Sequence, residues 1–131
     1  MLRISKQSDY GLLILTYLKG KDHLVPLSEL VEKLRLPKRF IARIAANLAT
    51  SGFLVSKEGK SGGYQLSSKI KKVSLFDFLK IFESNLNLTR CEEDNYRCPW
   101  EDHCSHKSLF KDKLRKIFIK QLKNYQLSKI I

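Results

Sequence analysis

The sequence of 131 residues is poor in several residue types, with only three cysteines, three prolines and one methionine. It also lacks a long apolar run. The one apolar stretch near the N-terminus, residues 11–18, is well short of the roughly 20 residues that a membrane-spanning helix needs. Asp9 precedes this stretch, Lys19 follows it, and no small-residue cleavage site is present, so we expect no secretory signal peptide. We therefore predict a cytoplasmic protein, in which thiols stay reduced.

Motifs for catalysis are absent as well. No residues form a recognisable nucleophile–base pair, and there is no phosphate-binding loop of the G-x-x-x-x-G-K type. The chain contains no internal repeat and no low-complexity segment. Its length is that of one domain, and its hydrophobic content of 43% suits a folded protein that needs no disulfides to be stable. We predict that it is not an enzyme.

Acidic residues are scarce outside one short segment. The chain has 25 basic and 13 acidic residues, a formal net charge of +12. Residues 91–104 hold five acidic side chains and one arginine, a net of −4, so the other 117 residues carry 24 basic and 8 acidic side chains, a net of +16. This excess indicates a polyanionic partner, either nucleic acid or an anionic membrane face. Phosphates should repel the acidic segment.

The N-terminal half has the helical periodicity of three short helices. The first is predicted near residues 5–19, with Ser5 as its N-cap, and the second over residues 27–34. Pro37 opens the third helix and Gly52 ends it. The predicted inner face of the third helix is Phe40, Ile41, Ile44, Ala45 and Leu48.

A glycine-rich hairpin follows these helices. Residues 53–57 and 64–67 are predicted as strands, joined by a tip at residues 58–63. Two helices in tandem followed by a β-hairpin form the order of a winged helix-turn-helix, so we predict a mainly α fold with one small β-hairpin. In that fold the second helix of the pair enters the DNA major groove, and the wing lies along the backbone or in the minor groove.

The outward face of the third helix carries the predicted DNA contacts. Arg39 and Arg43 are one turn apart and could reach guanine edges or phosphates, while Asn47 could bind adenine or the backbone. Further predicted DNA contacts are Lys38, Lys57, Lys60 and Ser61. The alternative is a solvated helix face, because any exposed helix of so basic a protein carries a few arginines.

The C-terminal half contains two more predicted helices. Ser74 and Asp77 form a capping box for a fourth helix, and a long last helix starts at about Ser105. The predicted buried stripe of the fourth helix is Leu75, Phe78, Leu79 and Phe82. The predicted stripe of the last helix is Phe110, Leu114, Ile117, Phe118, Leu122 and Tyr125. The last helix has more large apolar residues than it could hide against a small winged domain, which favours a dimer over the alternative that the stripe covers its own core.

The three cysteines lie within 14 residues, with the spacing C-x6-C-x5-C at Cys91, Cys98 and Cys104. Three thiols cannot all pair, but three thiolates on a short tether can hold a metal or an iron–sulfur cluster with a fourth ligand from elsewhere. The absence of a C-x2-C pair makes a structural zinc site a weaker interpretation. Three free thiols without a ligand are the other alternative.

The chain resembles the winged-helix bacterial transcription regulators that include the iron–sulfur cluster regulator IscR, the nitric-oxide-sensing repressor NsrR and CymR. The similar segments are SDYGLLILTYL at residues 8–18, the helix-turn-helix over 27–53, GKSGGYQL at 59–66, and the three-cysteine loop with its following helix. The resemblance implies a DNA-binding repressor that senses cluster status, iron, nitric oxide or redox stress. It also implies a homodimer whose C-terminal helices cross.

The resemblance implies two functional parts and a ligand set. Residues 1–84 would be the winged DNA-binding domain, with helix 1 also packing on the dimer region, and residues 85–131 the cysteine loop and dimerisation helix. Asp9 matches the aspartate that NsrR-like members contribute to the partner's cluster, although an acidic residue in a first helical turn is also favoured by the helix dipole. His106 is the alternative fourth ligand, and His103 is disfavoured because it adjoins Cys104. The cluster would be [4Fe–4S], with [2Fe–2S] fitting the same residues.

One residue departs from the family pattern. Members often have an arginine immediately before the first wing glycine, where it can enter the minor groove, and here that residue is Glu58. Either Lys57 or Lys60 takes its place, or the minor groove is not read. Two other functions stay open: a metal-free regulator whose thiols sense oxidation directly, and an iron–sulfur electron carrier, which would leave the helix-turn-helix unexplained.

Overall fold

A computed structural model describes residues 3–131, which form five α-helices and one two-stranded antiparallel sheet. The predicted mainly α fold with a small β-hairpin is confirmed. Within the described residues every helix is too short or too polar to span a membrane. The elements are α1 (Lys6–Leu18), α2 (Leu27–Leu34), α3 (Lys38–Thr50), β1 (Leu54–Lys57), β2 (Gly63–Leu66), α4 (Leu75–Phe82) and α5 (Arg115–Asn124).

The helix ends follow the local chemistry of the sequence. The Ser5 side chain accepts a hydrogen bond from the Ser8 amide at 3.3 Å and caps α1. Ser74 and Asp77 form the predicted capping box of α4. Gly52 follows α3 with φ +83°, a conformation that glycine adopts without strain. Pro37, predicted as the first residue of the third helix, is instead its N-cap, so α3 begins one residue later, at Lys38.

The core lies between α1, α3 and α4. Its α3 contribution is Ile41, Ile44, Ala45 and Leu48. Phe40, predicted to be on this inner face, is 46% exposed, so that prediction was wrong. At about 100° per residue, Phe40 falls beyond the edge of the stripe that the other four positions form. It projects from the side of α3 instead.

The wing is attached to the chain before α2. Leu54 pairs with Leu66 and Lys57 with Gly63, which fixes the register of the hairpin. Val25 and Tyr64 exchange two backbone hydrogen bonds of 2.8 Å. Gly63 has φ +149°, and a Cβ there would lie 2.3 Å from the Val25 carbonyl oxygen, so only glycine fits. The orientation of the wing relative to α2 is thereby set.

The last helix is longer than α5 itself. Residues 107–124 are continuously helical, starting two residues later than predicted, and Leu109–Leu114 form a π-helical segment. Of the predicted stripe, only Leu122 is buried, whereas Ile117 and Tyr125 are 57% and 58% exposed. A single chain therefore does not cover this stripe.

The segment after α5 returns to the core. The Leu75 amide donates to the Tyr125 carbonyl at 2.8 Å, and the Leu127 amide donates to the Val73 carbonyl at 3.0 Å. Leu127 is fully buried. The end of α5 is consequently held directly against the start of α4.

Candidate nucleic-acid interface and cysteine loop

The outward face of α3 presents the predicted DNA contacts to solvent. All four are exposed: Lys38, Arg39, Arg43 and Asn47. They face outward because the buried residues Ile41, Ile44 and Leu48 direct the opposite side of the helix into the core. This arrangement is that of a recognition helix supported by its own apolar face.

A tight turn sets the angle between α2 and α3. Arg35 adopts a left-handed conformation with φ 53°, and its amide donates to the Val31 carbonyl at 3.0 Å. The Pro37 carbonyl then accepts hydrogen bonds from the Phe40 and Ile41 amides. These bonds satisfy backbone groups at both helix ends of the turn.

A cleft of about 650 Å³ separates α3 from the wing. Ala46 and Thr50 line it from the helix, and Lys57, Glu58 and Lys60 line it from the wing. Ser61 is exposed in the hairpin tip. Of the residues predicted to bind DNA, Lys57 and Lys60 line this cleft, whereas Lys38, Arg39, Arg43 and Asn47 lie elsewhere on the exposed face of α3.

Among the described residues, the basic side chains predicted to bind DNA have no carboxylate partner. Across residues 3–131, no carboxylate lies within 4.0 Å of Lys38, Arg39, Arg43, Lys57 or Lys60. Binding to a phosphate would therefore require no ion pair to break first. Such phosphate contacts supply affinity through the release of counterions.

The cysteine loop is irregular apart from two 3-10 turns. Cys91 lies in the turn Arg90–Glu92, and Cys104 follows the turn Glu101–His103. Cys91, Cys98 and Cys104 are all unpaired and half-buried. The Cys91 sulfur lies 3.0 Å from the Thr89 hydroxyl oxygen.

Glu92 connects this loop to the last helix. The residue is buried, and its carboxylate accepts a hydrogen bond from the Leu88 amide at 3.2 Å. It also lies 3.9 Å from the Arg115 guanidinium at the start of α5. A buried carboxylate needs such partners, because removing it from water is costly. Its neighbour Cys91 is consequently held near the last helix.

Lys107 is a residue that sequence reasoning missed. Its ammonium donates to the Glu101 carboxylate, and this hydrogen bond raises the pKa of Lys107 against the opposing effect of burial. The charges of Glu101, Cys91 and Cys104 raise that pKa further. Lys107 therefore lies within electrostatic range of two of the three thiols. Nothing in the sequence distinguishes it from the other basic residues.

The candidate fourth ligands are on the surface. Asp9 is exposed in the first turn of α1, and His103 is exposed in the loop. His106 is also exposed, with its ring 6.0 Å from that of Phe110. In the part of the chain that the structure describes, no three Cys, His, Asp or Glu side chains lie close enough together to hold a metal ion. Three unpaired thiols suit an iron–sulfur cluster chemically, but one chain does not by itself bring the ligands together.

Glu83 fixes the turn of α1 that carries Asp9. Its carboxylate accepts hydrogen bonds from the Ser5 amide at 2.8 Å and the Ser8 hydroxyl at 2.5 Å. Burial opposes ionisation of Glu83, but these hydrogen bonds outweigh it, so the pKa of Glu83 is lowered. No sequence pattern predicted this contact, which joins residues 75 and 78 positions apart.

Comparisons with known proteins agree with this geometry. The family model Rrf2, described as "Iron-dependent Transcriptional regulator", matches residues 4–131. The chain is 24% identical over 132 residues to protein aau3 of Rhizobium meliloti, covering 99% of this chain and 85% of that protein. It resembles the structure of CymR, the global cysteine regulator of B. subtilis, with a TM-score of 0.74, 20% identity, and coverage of 99% and 96%. It also resembles T. potens IscR, with a TM-score of 0.67, 21% identity, and coverage of 98% and 85%.

These likenesses confirm two predictions. The structural neighbours share the fold, and the match to the Rrf2 family model confirms the predicted resemblance to the family of IscR and CymR. The role of the family is regulatory, which also confirms the prediction of a non-enzymatic protein. The chain belongs to the Rrf2 family of DNA-binding transcriptional regulators.

Proposed function

We propose that this protein is a homodimeric repressor whose affinity for promoter DNA depends on an iron–sulfur cluster. The observation that carries the proposal is the cysteine loop: three unpaired, half-buried thiols lie on one segment that Glu92 ties to the last helix. The loop's negative charge would keep it away from phosphates, while α3 and the wing are basic. Promoter DNA as the target also accords with the predicted cytoplasmic location.

The proposed ligands are Cys91, Cys98 and Cys104, with Asp9 of the partner subunit as the fourth and His106 as its alternative. The exposed position of Asp9 is compatible with donation to another chain. When bound, the cluster would supply iron that reacts with oxidants or nitric oxide. A carboxylate is a weaker iron ligand than a thiolate, so one iron would be labile, which suits a sensor. The proposed nuclearity is [4Fe–4S], with [2Fe–2S] as the alternative.

The dimer is proposed from the uncovered stripe of the last helix. Ile117 and Tyr125 of this stripe are 57% and 58% exposed in the single chain, and Leu109, outside the stripe, is 43% exposed. Burying these large apolar side chains against a second copy removes them from water, which is energetically favourable. The division of roles between residues 1–84 and residues 85–131 is part of the same proposal.

The mechanism couples the loop to the spacing of the two α3 helices. A cluster bound across the dimer would order residues 91–104 and hold α1 of one subunit against the loop of the other. Two recognition helices must lie about one DNA turn apart to bind both half-sites at once. Loss of the cluster would relax that spacing and lower promoter occupancy.

Cys98→Ala tests this coupling. The variant and the wild type are reconstituted without oxygen, assayed for iron and sulfide, and titrated with promoter DNA. We expect the variant to hold less iron and to bind DNA roughly 10-fold or more weakly, a difference of about 1.4 kcal/mol. Ser105→Ala, an exposed loop residue with no proposed ligand role, is the matched control. Equal DNA affinity of Cys98→Ala and the reconstituted wild type would contradict the proposal.

A metal-free thiol sensor is the second candidate. The observation that favours it is that all three thiols are unpaired and only half-buried, so that an oxidant can reach them. Oxygen-free preparations would then be colourless and free of iron, yet would bind the promoter fully and release it after treatment with peroxide.

A further inference from the structure

Phe40 is a large apolar side chain on α3, the helix proposed to bind DNA. It lies in the first turn of α3 and is 46% exposed. Its neighbour Arg39, and Arg43 one turn further on, are also exposed. Phe40 is not part of the buried core, and its exposed portion is available to contact a partner.

A contact with α1 holds the Phe40 ring in place. The ring packs edge-to-face on Tyr10, with centroids 6.5 Å apart and planes at 84°. Tyr10 is half-buried and packs against the core. An aromatic ring that is already positioned loses little conformational entropy when it binds a partner.

The spacing along α3 aligns Phe40 with the polar DNA contacts. Phe40, Arg43 and Asn47 have the spacing i, i+3, i+7, so they form a row along one side of the helix. In helix-turn-helix proteins the N-terminal residues of the recognition helix contact base edges. Docking of α3 in the major groove therefore brings the Phe40 ring to the bases together with the Arg43 side chain.

We propose that Phe40 is a specificity-determining residue that packs on the C5-methyl group of a thymine in each half-site. Thymine presents this methyl group in the major groove, where the other bases offer polar edges, and phenylalanine is one of the side chains that pack on it. The selected thymine lies beside the base or phosphate that Arg43 contacts. This inference rests on the proposed role of α3 in DNA recognition, but not on the cluster.

A uracil scan tests the contact. The full chain, purified without oxygen, first selects its preferred duplex from a random pool. Each thymine of that duplex is then replaced in turn by deoxyuridine, which lacks only the methyl group. We expect wild-type affinity to fall roughly three- to fivefold at one position per half-site, the effect of one uncovered methyl group. Phe40→Ala should bind the thymine and uracil duplexes equally.

Two further variants test whether the response to uracil depends on Phe40 in particular. Val55→Ala alters another exposed apolar residue, 52% exposed on β1, and should keep the wild-type response to uracil. Phe40→Gln should lose that response, and it replaces Phe40→Ala if the latter does not fold. Far-UV circular dichroism and thermal melting establish that each variant is folded.

The possible outcomes separate the inference from the proposed function. The inference is wrong if the wild type binds every uracil duplex equally well. It is also wrong if the Phe40 variants respond to uracil as the wild type does, even when they bind every duplex more weakly, because that pattern indicates only a structural role. If the random pool yields no preferred sequence, α3 does not recognise specific bases, and both the proposed role of α3 and this inference are wrong.

Discussion

At the residue scale, single charged side chains hold distant segments together. Glu83 joins the start of α1 to the end of α4, and Glu92 joins the cysteine loop to Arg115. Each is a carboxylate removed at least partly from water, and each has hydrogen-bond donors or a cation beside it. Loss of such a carboxylate leaves donors without a partner, which costs more than the net value of the bond.

Glu83→Gln should remove a pH-dependent part of the stability. Because the pKa of Glu83 is lowered in the folded protein, its ionised form stabilises the fold above the usual value of 4.5. That contribution is lost as the pH falls through the lower folded-state pKa. At pH 7 we expect the variant to lose about 1.5–3 kcal/mol of unfolding free energy, the range for hydrogen bonds to a charged group. Urea unfolding at several pH values between 7 and 3.5 measures the loss of unfolding free energy and its dependence on pH.

The control for Glu83 is Glu93→Gln, which removes an exposed carboxylate from the neighbouring loop. It should leave the unfolding free energy nearly unchanged at pH 7. If Glu83→Gln and the wild type lost stability equally between pH 5 and 3.5, Glu83 would not be the titrating group.

The roles of residues that act locally could be predicted from the sequence, whereas contacts between distant residues could not. Ser74, Asp77 and Gly52 act within one helical turn, so their caps could be read from the sequence. Phe40 was wrongly predicted to be buried, because an apolar residue just beside a buried stripe fits the same helical spacing as one inside the stripe. The partners of Glu83 are set by the tertiary fold, which no short-range pattern encodes.

At the scale of elements, the wing was predicted almost to the residue because its glycines are required by geometry. Gly63 has no space for a side chain against Val25, and the strands around it pair in one register. The last helix was harder to predict. Its apolar stripe was read at a constant helical period, but the π-helical segment Leu109–Leu114 changes that period.

Glu58→Arg tests whether the wing lies close to the DNA. Glu58 lines the cleft between α3 and the wing, so its carboxylate should repel phosphates. We expect the variant to bind DNA more tightly at low salt and the log–log salt dependence to steepen by about one unit for each added phosphate contact. Fluorescence anisotropy at several salt concentrations measures this change.

Glu93→Arg makes the same change in charge on the acidic loop and serves as the control. It should change the slope less, because we expect that loop to face away from the DNA. A slope for Glu58→Arg no steeper than that of the control would mean that the wing does not approach the phosphates.

At the scale of the whole molecule, the last helix belongs to two surfaces. Leu122, together with Leu127 of the following segment, completes the core of the winged domain, whereas Ile117 and the helix-capping Tyr125 remain exposed. The same helix also receives the cysteine loop through Arg115. A displacement of this helix would therefore act on the core, the loop and the proposed partner together.

Ile117→Glu should separate the proposed dimer. A charge within the apolar stripe would be desolvated at the interface without a partner, which is strongly unfavourable. We expect the mass measured by sedimentation to fall to that of one chain. Affinity for a duplex with two half-sites should drop roughly 100-fold or more, because the second binding event is no longer intramolecular.

Lys116→Gln, on the same helix, makes the same change in net charge at an exposed polar position and should leave both measurements unchanged. A wild-type protein that sediments as a single chain at micromolar concentration would contradict the dimer directly.

The wide turn at Leu109–Leu114 has a consequence for comparing homologous sequences. A π-helical segment accommodates about one residue more than an α-helix covering the same rotation. A homologue that lacks one residue within this segment could form ordinary α-helix there and still present the same side chains on the outward face of the last helix. Alignments should therefore place single-residue gaps here, and equivalence downstream of the gap should be judged by which face a side chain occupies.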